Sequence, residues 1–136
     1  MIFGSLYSGI GGADLGLESI GWRLAWQIER DQLRREVLAR RWPEVLRIIN
    51  ATDDASLTLL EPVDILHCEP QEPTPEYVWP VVRVINAVKP GGAIIDLATR
   101  HSTTIFQDFM RILVNLGYRV GGGLFARRLE SGDAVA

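Results

Sequence analysis

The chain has 136 residues, enough for one domain with a single core, and its formal net charge is -3. Hydrophobic residues make up 47% and charged residues 23%, which is typical of globular proteins, and the negative net charge argues against a strongly basic nucleic-acid binder. The one cysteine excludes an intrachain disulfide framework, and no apolar stretch is long enough to span a membrane. The amino terminus lacks the features of a signal peptide, so we expect a cytoplasmic location.

Apolar runs of strand length alternate with helical stretches along the chain. The pattern predicts strands over residues 1–7, 22–28, 45–49, 63–67, 93–96 and 118–127. It predicts helices over residues 14–20, 31–41 and 75–88, and from Thr103 or Thr104 to Gly117. Asp31 is a suitable N-cap, and Thr74 precedes a proline at a first helical position. The alternation predicts a single α/β domain with a mostly parallel sheet and helices on both faces.

Several polar residues are expected near the ends of these strands. In open parallel sheets, ligands bind beyond the carboxyl ends of the strands. We therefore expect the residues in these positions to converge on one cleft: Tyr7–Gly9, Glu29, Asp53 and 67–71.

A glycine turn lies between the first strand and the first helix, with the sequence Tyr7-Ser8-Gly9-Ile10-Gly11-Gly12. Glycines permit positive φ and let a ligand approach the backbone, and the following helix amides can face an anionic group. The turn could equally be a tight connection that binds nothing.

Two acids follow the next strands. Glu29 is placed to accept both hydroxyls of a ribose, as in nucleotide-binding sheets, or else to pair with a neighbouring arginine. Asp53 could accept from an adenine amino group, or could cap a helix in competition with Asp54.

The stretch from Leu6 to Glu18, followed by Gly21-Trp22 and Trp26 to Asp31, closely resembles the first two motifs of cytosine-5 DNA methyltransferases. That family has a phenylalanine-serine-glycine-isoleucine-glycine-glycine turn and a later glutamate-x-aspartate, matched here by Glu29-Arg30-Asp31. The resemblance continues more weakly through Val63-Asp64-Ile65-Leu66 and Leu116-Gly117-Tyr118-Arg119-Val120.

The resemblance implies a Rossmann-like methyltransferase sheet that binds S-adenosylmethionine or S-adenosylhomocysteine. Tyr7 would pack on the cofactor, and Ser8 to Gly12 would surround its methionine end. Glu29 would hold the ribose, and Asp53 or its neighbour Asp54 the adenine. Arg30 stands where the family usually has an apolar residue flanking the adenine.

The resemblance also implies a reaction in which a cysteine thiolate attacks carbon 6 of a flipped-out cytosine. Alignment without gaps from Asp64 places Glu72, not a cysteine, at the nucleophile position. Cys68 lies four residues earlier, where it is either a displaced nucleophile or a small buried residue. Asp96 occupies the position of the family's catalytic glutamate and is one methylene shorter.

The loop after the nucleophile position is short, and the target-recognition region and final helix of the family have no match. We therefore expect a catalytically defective domain that binds the cofactor and acts as a binding or regulatory module. The alternatives are an active subunit that needs a partner chain, and an interaction protein without cofactor. DNA, a partner chain or a second copy are the expected partners.

A metal site is not expected, because His67, Cys68 and His101 lack the spacing of zinc ligands. The basic run formed by Arg34, Arg35, Arg40 and Arg41 is expected to be a solvated helix face, part of which could contact phosphates.

Overall fold

The structure, a computed structural model, describes residues 1–71, 74–97 and 104–121, and the backbone of 127–128 and 134–135. The main strands are β1 (Ile2–Leu6), β2 (Arg23–Ile28), β3 (Leu46–Ile48), β4 (Ile65–Cys68) and β5 (Gly92–Ile95). The helices are α1 (Gly12–Ser19), α2 (Gln32–Arg41), α3 (Asp54–Thr58), α4 (Pro75–Val88) and α5 (Thr104–Asn115). The strands form a sheet in the order β3-β2-β1-β4-β5, and every neighbouring pair is parallel. The predicted α/β class with a parallel sheet is confirmed.

Successive side chains of each strand point to opposite faces of the sheet, so both faces carry apolar residues. Helices pack on both faces and bury these residues. On one face, Phe3 and Leu24 pack with Leu38 of α2 and with Trp42. On the other face the core is larger and joins the strands to α4 and α5. Its buried members include Leu6, Trp26, Ile28, Leu66, Val81, Val84, Ile85, Phe109 and Leu113.

Two local features explain where two of the helices begin, a side-chain cap at α2 and a proline at α4. The Asp31 side chain accepts from the Arg34 N–H at 2.9 Å, which satisfies one of the unpaired amides at the start of α2. At the start of α4, Thr74 is the N-cap in extended conformation and Pro75 is the first helical residue, as predicted. Lys89 ends α4 in the left-handed region, with φ 49°.

The register of β1 against β2 shifts by one residue between Phe3 and Gly4. Phe3 pairs with Leu24, but Gly4 pairs with Trp26, so Ala25 is the extra residue of a bulge. The Trp26 ring lies directly over Gly4, where a Cβ atom would overlap it. Glycine is therefore required at this point of β1 for the buried indole to reach the larger core.

Two predictions about the chain's elements are wrong. Helix α3 was not predicted, and it fills part of the connection between β3 and β4. Of the strand predicted over residues 118–127, Tyr118 to Gly121 are irregular, and only Arg127 among its described residues is in a strand. The Tyr118 hydroxyl instead donates to the Pro90 carbonyl at 2.7 Å, which ties this segment to the β5 side of the sheet.

Further along the chain, β6 (Arg127–Arg128) and β7 (Ala134–Val135) form a separate antiparallel pair. Across the described residues, no helix is both long enough and apolar enough to cross a membrane.

Candidate cofactor site

The glycine turn leaves β1 at the carboxyl edge of the sheet. The Tyr7 N–H donates to the Ile28 carbonyl at 2.8 Å, so the turn is tied to the end of β2. Tyr7 has a φ of 60°, which is costly for a residue with a large side chain and is held only by its surroundings. Gly9 and Gly11 also have positive φ, 59° and 88°, and Gly12 then starts α1. Ser8 is buried, whereas Ile10 is 65% exposed.

Glu29 joins the turn to the start of α2. Its carboxylate accepts from the Gly9 N–H at 2.8 Å through one oxygen and from the Asp31 N–H at 2.9 Å through the other. The side chain is only 4% exposed, so these bonds satisfy a buried charge. The acid that the sequence singled out therefore shapes the glycine turn as well as facing the cleft.

A cavity of about 300 Å³, here called the first cavity, opens beside this turn. It is lined by Tyr7, Glu29 and Arg30, which are three of the residues predicted to bind a cofactor. Its other lining residues are Asp31, Arg34, Gln71 and Tyr77. Gln71 belongs to the segment 67–71 that was expected at the cleft, whereas Tyr77 is in α4 and nothing in the sequence singled it out.

A second cavity of about 470 Å³ lies on the β3 side of the first. Leu6 and Ile28 form its floor at the strand ends, and Trp79, 56% exposed, stands on its α4 side. The remaining lining residues include Asn50, Ala51, Thr52, Pro75, Pro80 and Arg83. Most of this wall is apolar, which suits a flat ring better than a charged group.

Four side chains separate the two cavities, and we call them the partition: Tyr7, Arg30, Glu76 and Tyr77. Arg30 pairs with Glu76 at 2.9 Å, and its guanidinium lies 5.3 Å from the centre of the Tyr77 ring. The Tyr7 and Tyr77 rings meet edge to face, with centroids 5.5 Å apart. The Tyr7 hydroxyl donates to the Tyr77 carbonyl at 2.9 Å, and burial raises its pKa.

The two aspartates proposed for adenine have other partners in the structure. Asp53 is the N-cap of α3, and its carboxylate accepts from the N–H and hydroxyl of Ser56 at 2.7 and 2.8 Å. These bonds lower the pKa of Asp53. Asp54 pairs with Arg83 at 2.7 Å. Arg83 lines the second cavity, whereas neither aspartate does.

A buried polar row lies beneath α1, and sequence reasoning missed it. Ser5, Gln27 and His67 are register partners on β1, β2 and β4, and Arg47 follows on β3. Gln27 donates to the Asp14 carboxylate at 2.8 Å and accepts from Arg47 at 3.0 Å. The Asp14–Gln27 bond ties the first turn of α1, and with it the glycine turn, to β2, and the Gln27–Arg47 bond continues the row to β3.

Burial raises the pKa of Asp14, and the Ser5 hydroxyl, the Gln27 amide and the charge of His67 oppose this effect. The folded protein therefore binds the Asp14 proton more tightly than the unfolded chain does. The contribution of Asp14 to stability is greatest at low pH and is lost as the pH rises through the raised pKa.

Asp14→Asn keeps an oxygen for the Gln27 amide and removes the buried charge. We expect the variant to be more stable than the parent at pH 7 by about 1 kcal/mol. The difference should shrink as the pH falls, because the parent's Asp14 becomes protonated. Urea unfolding from pH 7 to 4 measures it, with the exposed Asp108→Asn as control. If the stability of Asp14→Asn relative to the parent increased towards low pH, the pKa of Asp14 would not be raised in the folded protein.

Cys68 ends β4 between Leu6 and Ile95, and its side chain points into the larger core. It has no exposed surface, and burial raises the pKa of the thiol. Asp96 follows β5, and its N–H donates to the Cys68 carbonyl at 2.9 Å. Neither residue lines either cavity. Glu72, at the aligned nucleophile position, and His101 lie outside the described residues.

The buried thiol gives a direct chemical expectation, since a thiolate is the form that reacts. We expect Cys68 of the folded protein to react with an aromatic disulfide reagent at pH 8 at least a hundredfold more slowly than after unfolding in urea. The unfolded chain should release one equivalent of the reagent's aromatic thiolate, because it has one cysteine. Rapid, complete reaction of the native protein would show that the thiol reaches solvent.

The chain was compared with known families, curated proteins and solved structures. No family model matches the chain, and no curated protein matches it. Solved structures do match. A prophage-encoded protein of E. coli, described as a DNA modification methyltransferase, has a TM-score of 0.64 and 18% identity. A mutant of Spodoptera frugiperda DNMT2 has a TM-score of 0.64 and 14% identity.

The matches cover 85% and 83% of this chain but only 38% and 40% of those two structures. A structure from Erwinia carotovora atroseptica described as an oxidoreductase also matches, with a TM-score of 0.58, 17% identity and coverage of 86% of this chain and 34% of its own. The chain has the Rossmann-like fold of the methyltransferases among these structures, and it spans about two-fifths of their length.

Proposed function

We propose that this chain is a cytosine-5 DNA methyltransferase-like domain that binds S-adenosylmethionine or S-adenosylhomocysteine and does not itself transfer a methyl group. The observation that carries the binding half is the meeting of Tyr7 and Glu29, from neighbouring strand ends, in one cavity beside the glycine turn. A parallel sheet offers its ligand site at this edge.

The residues present fit the cofactor in chemical terms. Each Glu29 oxygen accepts one backbone N–H and keeps capacity for a ribose hydroxyl. The apolar wall of the second cavity suits a purine ring, and the polar first cavity suits the sugar and amino-acid parts. Of the two ligands, S-adenosylmethionine would carry its methyl group on a sulfonium centre. The chain's own residues would orient it and exclude water.

The lack of methyl transfer rests on Cys68. Attack on a pyrimidine ring needs an accessible thiolate, and this thiol is buried away from both cavities with a raised pKa. We therefore assign the domain a binding or regulatory role in the cytoplasm, exerted through DNA, a partner chain or a second copy.

Isothermal titration calorimetry with S-adenosylmethionine and S-adenosylhomocysteine tests the binding half. We expect saturable heat with both, and an absence of heat at millimolar ligand would refute it. Transfer of a tritiated methyl group to DNA tests the other half, and we expect none. Transfer that disappears in Cys68→Ala would establish an active enzyme, and transfer that needs a second chain would establish an active subunit.

A further inference from the structure

The partition lies where a ligand that filled both cavities would pass. Tyr7 and Arg30 line both cavities, whereas Glu76 lines only the second and Tyr77 only the first. Cavities that bury a whole small-molecule ligand usually measure about 300–1,000 Å³. At about 300 and 470 Å³, each cavity is at the lower end of that range. A ligand that places its ring in the second cavity and its polar end in the first must therefore pass the side chains that the two cavities share.

The contacts of the partition join two parts of the chain that are distant in sequence. Arg30 follows β2, and Glu76 is in the first turn of α4. Their ion pair is partly solvated, with side-chain exposures of 43% and 66%. The Tyr7 hydroxyl adds a second tie, to the Tyr77 carbonyl. Such contacts are weak enough to be replaced by a ligand.

We propose that the Arg30–Glu76 ion pair competes with the cofactor inside its own site. The pair holds the first turn of α4 against the end of β2 and keeps the two cavities apart. A free purine base enters the second cavity without disturbing the pair, whereas the full cofactor binds only when the pair separates. This inference rests on the proposed cofactor-binding function.

The exposure of the Arg30–Glu76 pair limits how much the ligand affinity changes when the pair is broken. Exposed ion pairs contribute little to stability, so breaking this one changes ligand affinity severalfold rather than abolishing binding. Because salt screens exposed charges, the competition weakens at high ionic strength. Glu76→Gln removes the charge but keeps the shape of the side chain, and Tyr7→Phe removes the second tie.

Calorimetry on the full chain with S-adenosylhomocysteine and with adenine tests the competition. We expect Glu76→Gln to bind S-adenosylhomocysteine about two- to fivefold more tightly than the parent, and to show a smaller change for adenine, which does not cross the partition. Tyr7→Phe should also bind S-adenosylhomocysteine more tightly than the parent does. Raising NaCl from about 0.05 to 0.5 M should raise the parent's cofactor affinity towards that of Glu76→Gln.

Glu61→Gln is the matched control, because Glu61 pairs with Arg23 at the same 2.9 Å at the opposite end of β2. Equal cofactor affinity in the parent, Glu76→Gln and Glu61→Gln would overturn the competition and leave cofactor binding intact. Weaker binding by Glu76→Gln would overturn it too, since Glu76 would then be a ligand contact. An equal gain for adenine would also overturn it, because adenine does not cross the partition. No binding by any variant would refute the proposed function itself.

Discussion

Gly11→Ala is expected to destabilise the protein by about 3 kcal/mol and to abolish cofactor binding. Gly11 has a φ of 88°, a region that costs alanine roughly 1–3 kcal/mol. A Cβ atom there would also overlap the Trp42 ring and crowd Leu38, and such overpacking typically costs about 1–3 kcal/mol. The two costs fall on the segment that joins β1 to α1, so the glycine turn would be displaced.

Gly16→Ala is the matched control for this experiment. Gly16 is inside α1, only five residues away, and a Cβ atom there meets nothing within 4 Å. Alanine is the better helix former, so this variant should gain about 0.5–1 kcal/mol. Urea unfolding compares the two variants with the parent. If Gly11→Ala were as stable as Gly16→Ala, the left-handed turn against Trp42 would not exist in solution.

Glu29→Ala is expected to destabilise the protein by about 2–4 kcal/mol, because it removes the acceptor of two backbone N–H groups. The part-buried Gly9 and Asp31 amides would each lose a charged acceptor, and a hydrogen bond to a charged group contributes about 1.5–3 kcal/mol. Cofactor affinity should fall at least tenfold, since the ribose acceptor and the geometry of the turn are lost together.

Glu29→Gln separates these contributions, because its amide keeps one oxygen as acceptor. We expect it to lie between the parent and Glu29→Ala in both stability and affinity. Chemical denaturation and calorimetry measure the two quantities, and the exposed Glu44→Ala serves as control. A Glu29→Ala variant that is fully stable yet binds no cofactor would mean that the carboxylate faces only the ligand.

The sequence predicted best where its signals were local. The first strand, the glycine turn and the cap at Asp31 follow from adjacent residues, and the structure has them within a residue or two. Helix α3 was missed because five residues are too short to display a helical period, and because Asp53 was interpreted as a ligand-binding acid with capping as the alternative. The capping interaction is the one present in the structure.

The site was predictable only in part, for a related reason. The position of Glu29 at a strand end follows from the strand pattern, but its bond to the Gly9 N–H requires the exact register of two strands. The Arg30–Glu76 pair joins residues 46 positions apart, and nothing local in the sequence indicates it. The row from Asp14 to Arg47 likewise depends on pairing between strands.

The bulge at Ala25 makes one position of β2 unlike its neighbours. Leu24 and Trp26 are two residues apart, a spacing that would normally put them on the same face, yet they belong to different cores. Loss of Ala25 would make them consecutive and leave each on its present side. Deletion of any one residue from Trp26 to Ile28 would instead move the side chains on one side of the deletion to the opposite face of the sheet. Natural length variation in this strand should therefore concentrate at Ala25.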